Sequence, residues 1–292
     1  MNTVLTSTLS GVMLAAASLR PADPHFSVVR LPDGAQLHYA VQGDSTGDPI
    51  IFLHGYSDSW FSFSGVLPLL PGSYRAYALD LRGHGNTERS RSGYGMADMA
   101  TDVIAFMDAR QIARATIVGH SMGSIVAQQV ALLAPRRVAS LVLLGAGTTV
   151  RNVNGIGDLR QAVFALEDTV PVQFVRKFQE STIHRPLPDA FLQRVIAESR
   201  KLAPHVWREV MTGMLSTGPA TALGKAGIPA LVIWGDRDTT FLEAEQDALV
   251  SMLGSATFKR YAGTGHAVHW EEPARFAADL QSFLSAATYG SR

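Results

Sequence analysis

Gly119-His120-Ser121-Met122-Gly123 sets a serine between two glycines, each two residues away. Before it, Ala115-Thr116-Ile117-Val118 reads as a short buried strand; after it, residues 124–133 carry apolar groups at helical spacing. A chain that passes from strand to helix within five residues must double back sharply. The glycines permit this, and the turn thrusts the side chain of Ser121 out at the strand tip. The chemistry implied is nucleophilic. A serine hydroxyl is a weak nucleophile near neutral pH, so it needs a neighbouring base, usually histidine. That base needs a partner to fix its tautomer and stabilise the imidazolium. The oxyanion formed by attack needs preformed donors, and the N–H of Met122, next after the serine, is one.

An acid and a histidine follow at the ends of later strands, in the chain order such elbows use. The apolar run 229–234 leads into Gly235-Asp236-Arg237-Asp238-Thr239-Thr240, a polar loop with two aspartates. The run 256–261 leads into residues 263–273, which hold His266 and His269. Strand tips are where ligands bind in open α/β sheets.

The elements that must position these groups alternate in type. Residues 26–31 and 36–41 flank Pro32-Asp33-Gly34-Ala35 as an antiparallel hairpin. Residues 49–53, 74–79, 115–118 and 138–144 are further strands. Between the second and third of these lies a helix with Met99, Val103 and Phe106 on one face, and Asp102 and Asp108 away from it. Strands alternating with helices imply a parallel sheet with right-handed crossovers. From 146 to 224 the pattern becomes four helical stripes, with Pro171, Pro188 and Pro204 near the starts of three of them. Alternation then resumes, so this segment reads as an insertion.

Composition narrows the class. The 292 residues include 25 basic and 25 acidic ones and 47% hydrophobic residues, which gives no electrostatic case for nucleic acid or an anionic membrane. With no cysteine, thiolate metal sites and a cysteine nucleophile are excluded. His266 and His269 have no third ligand near them in sequence, so no metal is expected, and Gly145-Ala146-Gly147 lacks the third glycine of a dinucleotide loop, so no cofactor is expected either. Residues 4–18 are apolar and signal-like, but no Lys or Arg precedes them. The cytoplasm is therefore the expected compartment and export the alternative. No later run reaches the ~20 apolar residues of a membrane span, and nothing in the sequence specifies an oligomeric state.

Five motifs in order resemble the α/β-hydrolase superfamily, in its branch of esterases, lactonases, perhydrolases and C–C bond hydrolases. They are His54-Gly55, the D-x-R-G-x-G segment from Asp80 to Gly85, the elbow at Ser121, Gly235 to Asp238, and Gly265 to Pro273. The resemblance implies a mostly parallel eight-stranded sheet flanked by helices, with a helical cap inserted after strand 6. The domains would be an N-terminal arm (1–25), a hydrolase core (26–145 and 225–292) and the cap (146–224). It implies Ser121 as nucleophile, Asp238 as acid with Asp236 as the rival, and His266 as base. The N–H groups of Tyr56 and Met122 would form the oxyanion hole. The segment around Asp80, Arg82 and His84 would brace the active-site loops, and His120 would support its neighbours. Trp60, Phe61, Trp207, Met211, Met214 and His269 are expected to wall the substrate pocket. The expected substrate is an uncharged, fairly apolar small-molecule ester or lactone. C–C bond hydrolase, perhydrolase and non-enzymatic ligand receptor are the alternatives. Serine at 121 argues against the haloalkane dehalogenase and epoxide hydrolase relatives, which use aspartate there.

Overall fold

The computed structural model describes residues 24–151 and 153–289. The signal-like run and nearly all of the expected N-terminal arm therefore lie outside the described residues. Eight strands form one sheet: β1 (His25–Arg30), β2 (Gln36–Gln42), β3 (Asp48–Leu53), β4 (Tyr74–Leu79), β5 (Ala115–His120), β6 (Val138–Leu144), β7 (Ala230–Gly235) and β8 (Ala256–Tyr261). They lie in the order β1-β2-β4-β3-β5-β6-β7-β8. β2 runs antiparallel to both neighbours, and the six strands from β3 onward are mutually parallel.

The central strands are apolar on both faces because helices cover both. Ile51 and Leu53 of β3 face one core cluster, together with Ile117, Leu141 and Val232. That cluster is sealed by α1 (Met96–Ala109) through Val103 and Phe106, by α2 (Met122–Leu133) through Val126 and Val130, and by α7 (Glu243–Leu253) through Leu249. Ile50 and Phe52, one residue out of phase, face the other cluster with Phe276 and Leu280 of α9 (Pro273–Tyr289). This period-2 division is what a doubly covered sheet requires.

Between β6 and β7 come α3 (Ile156–Phe164), α4 (Val172–Glu180), α5 (Asp189–Ser199) and α6 (Pro204–Ser216). Pro171 and Pro188 immediately precede α4 and α5, and Pro204 opens α6, where the missing N–H costs nothing. A four-residue helix, α8 (Val268–Glu271), follows β8 and leads into α9. One expectation fails. Asp102 does not point away from the buried face of α1; it is buried, and both its oxygens accept from Arg82, at 2.6 and 2.8 Å. The charge is tolerated there because the guanidinium supplies two parallel donors.

Candidate active site

Strand β5 ends at His120 and α2 begins at Met122, so Ser121 alone makes the turn, with φ 52° and ψ −117°. A non-glycine residue there is strained by ~1–3 kcal/mol, which the surroundings must hold. They do so through the Ser121 N–H, which donates to Leu144 O of β6 (3.0 Å), and through the crowding of the two glycines. A Cβ on Gly119 would stand 2.3 Å from Gly123 O, and one on Gly123 would stand 2.2 Å from Leu53 O. Only glycine permits so close an approach on both sides.

At the tip of β7, Asp238 turns back into the molecule. Its Oδ1 accepts from the N–H groups of Thr240 (2.7 Å) and Phe241 (3.1 Å), which leaves Oδ2 to accept from His266 Nδ1 at 2.8 Å. Both side chains are buried. The bond puts the proton of the neutral imidazole on Nδ1 and leaves Nε2 as a bare base. Asp236 instead accepts from the Gly263 N–H at 2.7 Å, tying the two loops together. Gly145-Ala146-Gly147 also finds its reason here. A Cβ on Gly145 would lie 2.8 Å from His266 Nδ1, so glycine gives the imidazole its room.

The turn after β3 is set by a second histidine. His54 Nδ1 donates to Gly55 O (2.8 Å), and its Nε2 accepts from the Leu81 N–H (3.0 Å). Burial holds its pKa below the ordinary value, so the ring stays neutral and can fill both roles. Asp80 is fully buried and accepts from the N–H groups of Trp60 (2.7 Å) and Asn86 (2.9 Å) and from His38 Nδ1 (2.7 Å). That segment braces loops, as expected. Among the described residues, the backbone N–H groups of Tyr56 and Met122 have no protein acceptor.

A cavity of about 550 Å³ opens between the strand tips and the insert, and Ser121, His266, Tyr56, Asp58, His120 and Trp270 line its core side. Val153, Ile156, Leu159, Phe174, Phe178 and Met214 make the insert side mainly apolar, with Asn154, Asp158, Ser181 and Thr182 among them. Lys177 lies at the exposed rim. A shallower groove of about 670 Å³ lies by Arg114, Val138 and Ile228, at the opposite ends of the strands from Ser121.

Of the expected pocket residues, Met214 lines the cavity and the others do not. Trp207 is fully buried behind the wall, edge-on to Tyr56 at 5.0 Å, and its carbonyl accepts from the Tyr56 hydroxyl at 2.6 Å. Met211 is likewise enclosed in the main core. Helical periodicity marks both as buried without saying which layer they fill. Trp60 packs against Phe26 and Phe61, while Phe61 stacks toward Phe191. Met122 offers its backbone to the turn, with its side chain in the core. His269 lies a layer behind, against Phe63, its Nε2 2.9 Å from Ser62 Oγ. Burial carries its pKa down to about 3.

Asp58, His120 and Gln179 are polar groups in the cavity that the sequence did not place there. Asp58 is 4% exposed, and Gln179 Nε2 donates to its Oδ1 at 3.0 Å. Burial drives its carboxyl up to about 7 against the opposing effect of Gln179 and Ser62. His120, next to Ser121, is 2% exposed with neither ring nitrogen hydrogen-bonded. Burial holds its pKa well below the usual range, so it is neutral. Gln179 could have been found, since it stands four residues after Val175 on the buried face of α4. Asp58 carries no such signal beyond its nearness to His54-Gly55.

An eight-stranded α/β sheet with a serine on a strained strand-to-helix turn, and an Asp–His pair at later strand tips, is the frame of an α/β hydrolase. A family model described as alpha/beta hydrolase fold matches residues 48–273, and the chain belongs to that family. It is 30% identical over 257 residues to the dihydrolipoyllysine-residue acetyltransferase component of the acetoin cleaving system of Cupriavidus necator, covering 86% of this chain and 67% of that protein. It is 27% identical over 299 residues to the 2-hydroxy-6-oxononadienedioate/2-hydroxy-6-oxononatrienedioate hydrolase of Paraburkholderia xenovorans, covering 96% of this chain and 100% of that one. A crystal structure of an esterase from a Rhodococcus species superposes with a TM-score of 0.80 at 26% identity, covering 90% of this chain and 99% of that one. Among the described residues no helix is long and apolar enough to cross a membrane.

Proposed function

We propose that this hydrolase cleaves an uncharged, fairly apolar carboxylic ester or lactone through an acyl-enzyme on Ser121. The observation that carries the reading is the buried 2.8 Å bond between His266 Nδ1 and Asp238, in a cavity that Ser121 also lines. His266 Nε2 takes the proton as Ser121 Oγ attacks the acyl carbon, then returns it to the leaving alcohol. Water attacks the acyl-enzyme by the same route in reverse. Asp238 Oδ2 accepts from Nδ1 and stabilises the imidazolium formed in each step. The unpartnered N–H groups of Tyr56 and Met122 receive the oxyanion, each donor contributing ~3 kcal/mol to the transition state. Helices α3 to α6 act as the cap, their apolar face selecting substrate.

Hydrolysis of p-nitrophenyl butyrate is expected to vanish in Ser121→Ala, and a fluorophosphonate is expected to label Ser121, read by mass spectrometry of the tryptic peptide. Full activity in Ser121→Ala would refute the mechanism. C–C bond cleavage is the second reading, favoured by the end-to-end match to the dioate hydrolase. Turnover of a vinylogous diketone with neglect of simple esters would replace the first reading by it.

A further inference from the structure

The strained turn at Ser121 has a counterpart after β3, and it is held differently. The Asp58 N–H donates to Gly55 O at 3.2 Å, which closes a four-residue turn with Tyr56 and Ser57 at its centre. Ser57 has a φ of 64°, in the left-handed region that such a turn reserves for glycine or asparagine. A serine stays in that region only where its neighbours impose it, so the turn needs holding from outside. On the core side it lies tight: a Cβ on Gly55 would stand 2.8 Å from His120 Nδ1 and 3.0 Å from Asp58 Oδ2.

The other side is held by the insert. The Tyr56 hydroxyl donates to Trp207 O of α6 at 2.6 Å, using a lone pair that a helical carbonyl has to spare. Burial holds this phenol's pKa well above its ordinary value, so the hydroxyl stays a donor. The ring meets Trp207 edge-on at 5.0 Å and Phe178 of α4 edge-on at 5.7 Å, so it is fixed along its side as well as at its tip. Gln179 of α4 donates to Asp58 Oδ1 at 3.0 Å, and the same amide nitrogen is anchored to Ser199 Oγ of α5 at 2.8 Å. The turn that carries the Tyr56 N–H is thus bonded to two helices of the insert, and the proton transfers between Ser121 and His266 use neither bond.

We propose that Tyr56, through its hydroxyl, and Gln179 are positioning residues for the oxyanion hole: they fasten the donor turn to α6 and α4, so the hole is complete only while the insert is seated on it. The inference rests on the hydrolase reading, in which the Tyr56 N–H receives the oxyanion. A hydrogen bond weakens steeply as it departs from linearity, and a backbone donor is aimed only by the turn that carries it. Met122 needs no such hold, because its N–H belongs to the first turn of α2. One donor of the hole is therefore set by the core, and the other answers to the insert. Acylation and deacylation both pass through an oxyanion, so a loosened turn slows both.

The test is Tyr56→Phe, which keeps the ring and the backbone N–H and removes only the hydroxyl. Its kcat for p-nitrophenyl butyrate is expected to fall about tenfold or more, short of the roughly 10²–10³-fold that follows loss of a whole donor. Two ketones then separate the hole from the pocket. With 1,1,1-trifluoro-2-hexanone, Ser121 Oγ adds to the carbonyl carbon, His266 takes the proton, and the carbonyl oxygen becomes the oxyanion; its Ki is expected to rise by about the same factor as kcat falls. 2-Hexanone fills the same space without a stable adduct, and its Ki is expected to stay within about twofold of the wild type's. Unchanged kcat and trifluoroketone Ki, or equal weakening of both ketones, overturns the tether. Should urea unfolding show that Tyr56→Phe does not fold, Gln179→Met carries the test, with the same split between the ketones expected and its absence refuting. Ser121 labelling by a fluorophosphonate separates the two failures: a labelled, active wild type whose variant behaves like it loses only the tether. A wild type that is neither labelled nor active on esters sinks the hydrolase reading and the tether with it.

Discussion

Replacing Asp58 by asparagine should change how stability depends on pH, and the structure sets the sign and the size. Burial carries this carboxyl from its ordinary 3.8 up to about 7. Between those values the folded protein keeps a proton that the unfolded chain has released, so the folded state binds more protons and stability falls as pH rises. The stabilisation is complete below the unfolded pKa and is lost as pH climbs through the folded one. A shift of ~3 units corresponds to ~4 kcal/mol at 1.36 kcal/mol per unit. Of this, ~2–3 kcal/mol falls between pH 5 and pH 8. Asparagine stays neutral throughout, and its amide oxygen can still accept from Gln179. Urea unfolding of both proteins at the two pH values, followed by tryptophan fluorescence, reads the effect. The stability of Asp58→Asn relative to wild type is expected to improve by ~2–3 kcal/mol from pH 5 to pH 8. The difference is the readout because the buried histidines His84, His120 and His269 have lowered pKa values, and their contribution is lost as pH falls. A difference that stays flat, or that moves in favour of the wild type, refutes the account of Asp58 as a carboxyl neutralised by burial.

The two aspartates of the β7 loop should separate cleanly in steady-state kinetics. Asp238→Asn is expected to lower kcat by a thousandfold or more, because the amide favours the wrong imidazole tautomer, while Asp236→Asn loses only a loop tie and should cost far less; the opposite ranking would reassign the acid. Gly123→Ala is expected to destabilise the fold by about 3 kcal/mol and to abolish esterase activity, since the new Cβ would stand 2.2 Å from Leu53 O and 2.6 Å from His54 O. A thermal melt within two or so degrees of the wild type's would show that the elbow has more room than the geometry allows.

The sheet was legible because its middle is covered on both faces, which makes each parallel strand a continuous apolar run such as residues 138–144. Hairpin, elbow and proline-led helices were legible for equally local reasons. What escaped was long-range. Helix α7 has few apolar anchors among Glu243, Glu245 and Asp247, and its buried Gln246 donates to the distant Ala146 O at 2.8 Å. Asp102 reads as a solvent-facing residue until Arg82 is brought beside it. Trp207 and Met211 read as pocket walls because their spacing shows only that they are buried; the layer in front of them, Phe174, Phe178 and Met214, comes from the fold. Ser121, Asp238 and His266 lie in local motifs, whereas Asp58 and His120 are brought against Gly55 only by the fold.

The insert and the loop carrying His266 are joined on one side into a single piece. Glu271 accepts from the Gly265 N–H (3.0 Å) of that loop and from the N–H groups of His184 (2.8 Å) and Arg185 (3.1 Å), between α4 and α5. The Ala267 N–H donates to Thr182 O at 2.9 Å, and Arg185 reaches back to the carbonyls of Ala262 and Gly263, both at 2.8 Å. On the same helix, Gln179 holds Asp58. The residues that close the cavity are therefore bonded to those that hold the imidazole and to the polar corner of the floor. Displacing the α4–α5 connection moves or breaks bonds to the loop carrying His266 as well as to the cavity wall, so the shape of the cavity and the placement of His266 are coupled through the backbone.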